Sequence, residues 1–284
     1  MYNHSRNMST KMYQYFWKFP LPLQAWVSLK VINYFFINSR MTMTFRYRLS
    51  TDGRTCSDIN ECQEYQNICI GNCQNEPGSY RCTCPQGYTL SENERSCEDI
   101  DECSQSSPCR GGHQTCFNTR GGFKCIDTSC PEGYNYDPDG GSKRCKLNPE
   151  SRHCPDSRDR QCLRRPVSLS FNFISLVSEL RIGISDTIGI DLFTMQSARI
   201  YSLTTKFFLK VKSVRAAKDV SEEVNRNFFH LKTPQPHRAV VSLVKSIQGP
   251  QDVILELRMD MYHLGRYQAS AVANVYVFVT PYKF

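Results

Sequence analysis

The chain has 284 residues, enough for two ordinary domains at roughly 100 to 200 residues each, and 15 of them are cysteine. All 15 lie between Cys56 and Cys162, a window that is about 14% cysteine against the ~8–10% that marks a disulfide scaffold. Thiols at that density, with few large apolar residues between them, exclude an ordinary cytosolic enzyme. The net charge of +8 divides as +7 over residues 1–55, −6 over 56–162 and +7 over 163–284, so it reflects unlike segments and not a nucleic-acid-binding face.

Residues 12–37 are rich in aromatic and aliphatic side chains, but Lys18, Pro20, Pro22, Lys30 and Asn33 interrupt them. The run falls short of the ~20 uninterrupted apolar residues of a membrane span, so no transmembrane helix is expected. Only the stretch from Trp26 to Ile37 approaches a signal peptide, and it lacks the small residues of a cleavage site. Residues 1–44 are read as an atypical amino-terminal segment, disordered or non-native. Asn3 and Asn7 stand in glycosylation sequons.

The cysteine window repeats with a period of 41 residues. Asp58-Ile59-Asn60-Glu61-Cys62 returns as Asp99-Ile100-Asp101-Glu102-Cys103, and each is followed by five further cysteines. A second signature, Cys-x-Asn-x4-aromatic-x-Cys, runs from Cys73 to Cys82 and again from Cys116 to Cys125. The stretch from Tyr47 to Cys56 has the layout of Tyr88 to Cys97.

With both signatures in register, the repeats resemble calcium-binding EGF-like modules, expected over residues 58–98 and 99–146. Six cysteines by themselves allow 15 pairings. The resemblance implies Cys62–Cys73, Cys69–Cys82 and Cys84–Cys97 in the first module, and Cys103–Cys116, Cys109–Cys125 and Cys130–Cys145 in the second. The second module is atypical, because four residues separate Cys125 from Cys130 where one separates Cys82 from Cys84. Residues 45–57 read as the end of a further module, which leaves Cys56 unpaired; the rival reading gives Cys56 an intermolecular bond. On the first of these readings the chain is the carboxy-terminal portion of a longer protein. Cys154 and Cys162 fall in a linker, 147–166, and are expected to pair.

A hard cation such as calcium takes about six to eight oxygens, mixing carboxylates with amide and backbone carbonyls. The resemblance implies side-chain ligation by Asp58, Glu61 and Asn75, with backbone oxygens of Ile59, Glu76 and Ser79. The matching set in the second module is Asp99, Glu102 and Asn118, with backbone oxygens of Ile100, Thr119 and Gly122. Zinc held by cysteine is the competing reading, but zinc sites use about four ligands at short repeated spacings, and here oxygen donors accompany six spread cysteines. Only Glu98 separates Cys97 from Asp99, so calcium at Asp99 is expected to fix the angle between the modules and make them a short rod. Asn75 and Asn118 also occupy the position that the family can hydroxylate.

Beyond Cys162 the composition changes. Val167 to Phe173, Phe207 to Lys212 and Val253 to Met259 alternate apolar with polar residues, and Val275 to Val279 is a further strand. Gly249-Pro250 marks a turn. An antiparallel β-sandwich-like domain is expected over 167–284, so the chain as a whole is mainly β. Two EGF-like modules before such a domain resemble the carboxy-terminal end of the fibulins and hemicentins. Ile247 to Asp252 and Val277 to Tyr282 are the most family-like stretches of the tail.

The resemblance implies a secreted, calcium-binding glycoprotein of the extracellular matrix whose partners are matrix or basement-membrane proteins. An adhesion or signalling ligand for cell-surface receptors is the alternative, weakened by the absence of Arg-Gly-Asp. Lys206, Lys210 and Lys212 offer a basic strand face to a sulfated glycan, although outward lysines on a strand are ordinarily only solvated. An enzyme is not expected. His4, His113, His153, His230, His237 and His263 form no His-Glu-x-x-His motif, and there is no Gly-x-Ser-x-Gly elbow or phosphate-binding loop.

Overall fold

The computed structural model describes residues 35–37, 40–42, 46–106, 108–139, 143–152, 159–183, 189–197 and 203–284. The chain divides into two compact units, Met1–Thr83 and Cys84–Phe284. Of the amino-terminal segment only the backbone of a short hairpin is described, β1 (Phe35–Ile37) with β2 (Arg40–Thr42); the two sequons lie outside the described residues.

The first unit continues with β3 (Tyr47–Leu49), β4 (Cys56–Asp58), the one-turn helix α1 (Glu61–Glu64), β5 (Asn72–Glu76) and β6 (Ser79–Thr83). Strand β3 pairs with β4, and β5 with β6. Disulfides Cys62–Cys73 and Cys69–Cys82 fasten α1 and its following loop to the β5–β6 hairpin. In so small a body such bonds substitute for a core, each contributing about 2–4 kcal/mol, chiefly by restricting the unfolded chain.

The second unit opens with a hairpin of β7 (Tyr88–Leu90) and β8 (Cys97–Asp99), closed by Cys84–Cys97. Then come α2 (Glu102–Gln105), β9 (Gln114–Thr119), β10 (Gly122–Asp127), β11 (Tyr134–Tyr136) and β12 (Arg144–Leu147). Asp101 caps α2 by accepting a hydrogen bond from the Ser104 amide at 3.0 Å. Disulfides Cys103–Cys116, Cys109–Cys125 and Cys130–Cys145 tie these elements together. A 3-10 turn at Pro149–Arg152 and the short helix α3 (Arg160–Leu163) follow.

The remaining strands are β13 (Ser168–Leu176), β14 (Ile190–Gln196), β15 (Leu203–Ala216), β16 (Phe229–Gln235), β17 (Arg238–Leu243), β18 (Gln251–His263) and β19 (Arg266–Val279). Together with β11 and β12 they form a six-stranded sheet in the order β11-β12-β13-β19-β18-β15 and a three-stranded sheet in the order β14-β17-β16. Val253, Leu255 and Leu257 of β18, with Ala273, Val275, Val277 and Val279 of β19, turn inward. Val241 and Leu243 of β17 and Phe229 of β16 belong to the same core, with Phe228 from the turn before β16. Burial of each large aliphatic or aromatic side chain contributes roughly 1.5–3 kcal/mol, and the strict alternation along β18 is what commits that strand to one face.

Two features depart from a plain antiparallel sandwich. The β13–β19 pair is parallel, with Ser168 opposite Ala271 and Leu176 opposite Val279. A parallel neighbour requires a long crossover, here supplied by the whole stretch from β14 to β18. The sheet also does not begin at residue 167: Arg144, Cys145 and Lys146 pair antiparallel with Ser170, Leu169 and Ser168. The last hairpin of the second cysteine repeat is thus two strands of the terminal domain's sheet.

Candidate metal centres

The two repeats build the same constellation twice. In the first unit Asp58 ends β4; its Oδ1 accepts from the Gly78 amide at 2.6 Å and its Oδ2 from Asn75 Nδ2 at 2.7 Å. In the second, Asp99 ends β8, with Oδ1 accepting from the Gly121 amide at 2.5 Å and Oδ2 from Asn118 Nδ2 at 2.7 Å. The backbone turns equivalently at both, since the Ile59 amide donates to Arg46 O and the Ile100 amide to Gly87 O, each at 3.0 Å. Glu61 and Glu102 are the first residues of α1 and α2. Glu76 and Ser79 face each other across the β5–β6 turn, as Thr119 and Gly122 do across β9–β10. The Gly122 carbonyl accepts from Thr119 Oγ1 at 2.9 Å, which leaves one of its two lone-pair directions for another partner.

The donor chemistry fits a hard cation. Glu61 is only 5% exposed, and Oε2 of Glu61, Oε2 of Glu102 and Oδ1 of Asn118 are buried without a hydrogen-bond donor. A buried carboxylate oxygen with no proton or cation beside it is costly. Oxygen-rich sites with this need are those calcium occupies. Among the described residues no three His, Cys, Asp or Glu side chains gather into a metal cluster; each repeat instead brings an aspartate against an asparagine side chain and a glycine amide, with a glutamate at the start of the helix that follows. The soft-ion alternative finds no support, because the twelve cysteines from Cys62 to Cys145 are consumed in disulfides.

The second centre is embedded in packing that sequence reasoning did not identify. Gly121 adopts φ +80°, and a Cβ placed there would lie 2.9 Å from Tyr88 Cε2 and 3.0 Å from Tyr282 Cε2. Tyr88 and Tyr282 meet edge to face at 5.4 Å, and Phe284 lies 5.4 Å from Tyr88. Burial pushes the Tyr88 phenol up, and the nearby Asp99 charge adds to it. The β9–β10 hairpin lies on the outer face of the six-stranded sheet. There Phe117 stacks on Phe173 at 5.1 Å and approaches Phe278 at 5.8 Å. The Arg120 amide donates to Ser175 Oγ at 2.9 Å, and Lys124 pairs with Asp252 at 2.9 Å. In the first unit the matching glycine, Gly78 at φ +73°, has Tyr47 as its nearest neighbour. The shared layout of Tyr47 and Tyr88 was the available signal for these ring contacts. Nothing in the sequence placed Tyr282 or Phe284 at this centre.

Cys56 pairs across β3–β4 with Leu49, as Cys97 does with Leu90, and is the free cysteine among the described residues. Cys162 is disulfide-bonded; Cys154, its expected partner, lies outside the described residues. Among the described residues no helix is long and apolar enough to cross a membrane.

A family model of the fibulin C-terminal Ig-like domain matches residues 167–281. A complement Clr-like EGF-like model matches 79–102, and a calcium-binding EGF model matches 99–145, the span that holds the Asp99 constellation. Human fibulin-7 is 34% identical over 238 residues, covering 81% of this chain and 50% of fibulin-7. Human hemicentin-1 is 43% identical over 122 residues, which is 43% of this chain and 2% of that protein. Human EGF-containing fibulin-like extracellular matrix protein 1 is 31% identical over 173 residues, covering 60% of this chain and 30% of that protein. The chain spans about half the length of the fibulin-7 sequences it matches. Six disulfides among the described residues and this kinship place it outside the cell, as a secreted protein of the extracellular matrix. With calcium-binding EGF-like modules leading into a fibulin-type carboxy-terminal domain, the chain belongs to the fibulin and hemicentin family.

Proposed function

We propose that the chain is a non-enzymatic matrix protein in which calcium stiffens the EGF-like modules, so that the terminal β domain is presented at a fixed attitude to partner proteins of the matrix or basement membrane. The observation that carries this reading is the repeated constellation of Asp, Asn and buried Glu oxygens at both module entries. Asp58, Glu61 and Asn75, with backbone oxygens of Ile59, Glu76 and Ser79, would hold one ion. Asp99, Glu102 and Asn118, with those of Ile100, Thr119 and Gly122, would hold the other. A bound ion supplies positive charge that neutralises these carboxylates and ties the start of each module to its central hairpin. The protein's own part is to keep the oxygens converged, through the Gly78 and Gly121 amides on the aspartates. We read residues 45–57 as the closing hairpin of an EGF-like module, because β3–β4 repeats the β7–β8 register.

Protein partners are favoured over a sulfated glycan. Lys206 is opposite Asp260 and Lys210 opposite Glu256 in the β15–β18 register, and Lys212 lies 3.8 Å from Glu256, so carboxylates stand among the lysines of that strand and dilute its positive face. Solid-phase binding to matrix proteins, to heparin and to cells, with calcium and with chelator, tests the reading. Saturable binding to matrix proteins that weakens in chelator is expected. Binding to heparin or cells alone, unaffected by chelator, would overturn it.

A further inference from the structure

We propose that the segment Tyr282–Phe284 is a working part of the second calcium site: seated on the Gly121 turn, it strengthens calcium binding there, and calcium in turn holds the segment down. The proposal rests on the calcium reading above and extends it to residues more than 150 positions away in the chain.

Three observations converge on it. The Tyr282 ring fills the space a side chain at Gly121 would need, and Gly121 is the residue whose amide holds Asp99 Oδ1 at 2.5 Å. The next residue, Gly122, offers the expected backbone oxygen. Tyr282 is itself anchored in the terminal domain, since the Ser178 amide donates to its carbonyl at 2.7 Å and Thr280 donates to Leu176 O at 2.9 Å. Lys283 adds an ion pair with Glu179 at 2.5 Å. Finally, the arrangement belongs to one site: the atoms nearest the corresponding position at Gly78 are all from Tyr47, with no second ring among them.

A turn that presents ligand oxygens loses freedom when the ion binds, and a ring already seated on it removes part of that loss beforehand. Whatever strengthens calcium binding must by linkage be strengthened by calcium to the same degree. The clamp therefore makes two matched statements: the docked segment raises affinity at Asp99, and calcium slows the opening of the segment.

Calcium titration of the full chain in an Asp58→Asn background isolates the second site. Tyr282→Ala is expected to weaken it about tenfold, the equivalent of about 1.4 kcal/mol, while Tyr282→Phe, which keeps the ring, retains the affinity. In the native background Tyr282→Ala leaves the first site unchanged, and native protection of the β18 and β19 amides in the exchange experiment reports that the second unit folds in the variant. Hydrogen exchange of the peptide containing Ser178 is expected to slow on calcium addition in the parent chain and not in Tyr282→Ala. If Asp99→Asn removes one ion but Tyr282→Ala binds within twofold of the parent and Ser178 exchange ignores calcium, the clamp is wrong. If Asp99→Asn leaves both ions bound, the calcium reading itself fails.

Discussion

Replacing Gly121 by alanine perturbs the point where the second centre, the β7–β8 hairpin and the terminal segment meet. The backbone at φ +80° is left-handed, which costs a residue with a Cβ roughly 1–2 kcal/mol. The new methyl would sit 2.9 Å from Tyr88 and 3.0 Å from Tyr282, closer than carbon atoms tolerate, so at least one ring must leave. An aromatic pair contributes about 0.5–1.5 kcal/mol beyond its buried area, and Tyr88 makes such pairs with both Tyr282 and Phe284. The expected loss is about 2–4 kcal/mol. Gly265, in the turn between β18 and β19, provides the reference: it has nearly the same φ, +79°, with nothing within 4 Å of its would-be Cβ. Gly265→Ala therefore carries only the backbone strain, about 1–2 kcal/mol. Scanning calorimetry in saturating calcium should place the Gly121→Ala transition several degrees below that of Gly265→Ala. Equal shifts would refute the claim that the rings on Gly121 contribute to stability.

Phe117→Ala removes the ring that stacks on Phe173 and touches Phe278 and is expected to cost about 3 kcal/mol. Limited proteolysis at the β9–β10 hairpin should accelerate; an unchanged rate would show that this packing does not hold the hairpin. Alkylation of the folded, unreduced protein should label Cys56, the free cysteine among the described residues, and should leave the cysteines from Cys62 to Cys145 unmodified; labelling within that set would contradict the pairing. Hydrogen bonds from Lys232 and then Ser242, at 2.6 and 2.7 Å, hold the Asp191 carboxyl below its ordinary value of 3.8. A depressed carboxylate contributes stability that is present above its unfolded value and lost as pH falls through the folded one. Unfolding midpoints followed below about pH 4 should therefore fall less steeply in Asp191→Asn, and identical slopes would show that the Lys232 and Ser242 contacts do not matter.

Much of the β character was legible because it rests on local alternation. Val253 to Met259 alternates so regularly that its place in β18 follows from period two alone. Strands β14, β16 and β17 were not anticipated. In β16 Pro234 and the polar residues beside it obscure the alternation, and β14 carries a register shift between Asp191 and Phe193. The parallel partnership of β13 with β19 joins residues about a hundred positions apart, and no local pattern encodes such a pairing. The same holds at the second centre. Asp99, Glu102 and Asn118 could be named because both repeats carry the signatures of calcium-binding EGF-like modules, whereas Tyr282 and Phe284 have no counterpart in the repeat and meet Gly121 only through tertiary packing. The four-residue separation of Cys125 from Cys130 marked the second module as atypical. It did not disclose that β11 and β12 extend the terminal sheet, a consequence of backbone pairing between Arg144 to Lys146 and Ser168 to Ser170.

The central claim is that the two constellations built on Asp58 and Asp99 each hold a calcium ion. The most direct test is the metal content of the folded chain after equilibrium dialysis against calcium, compared with Asp58→Asn, Asp99→Asn and the double variant. The account predicts two ions in the parent, one in each single variant and none in the double. An empty parent chain, or a double variant that keeps its calcium, would contradict it.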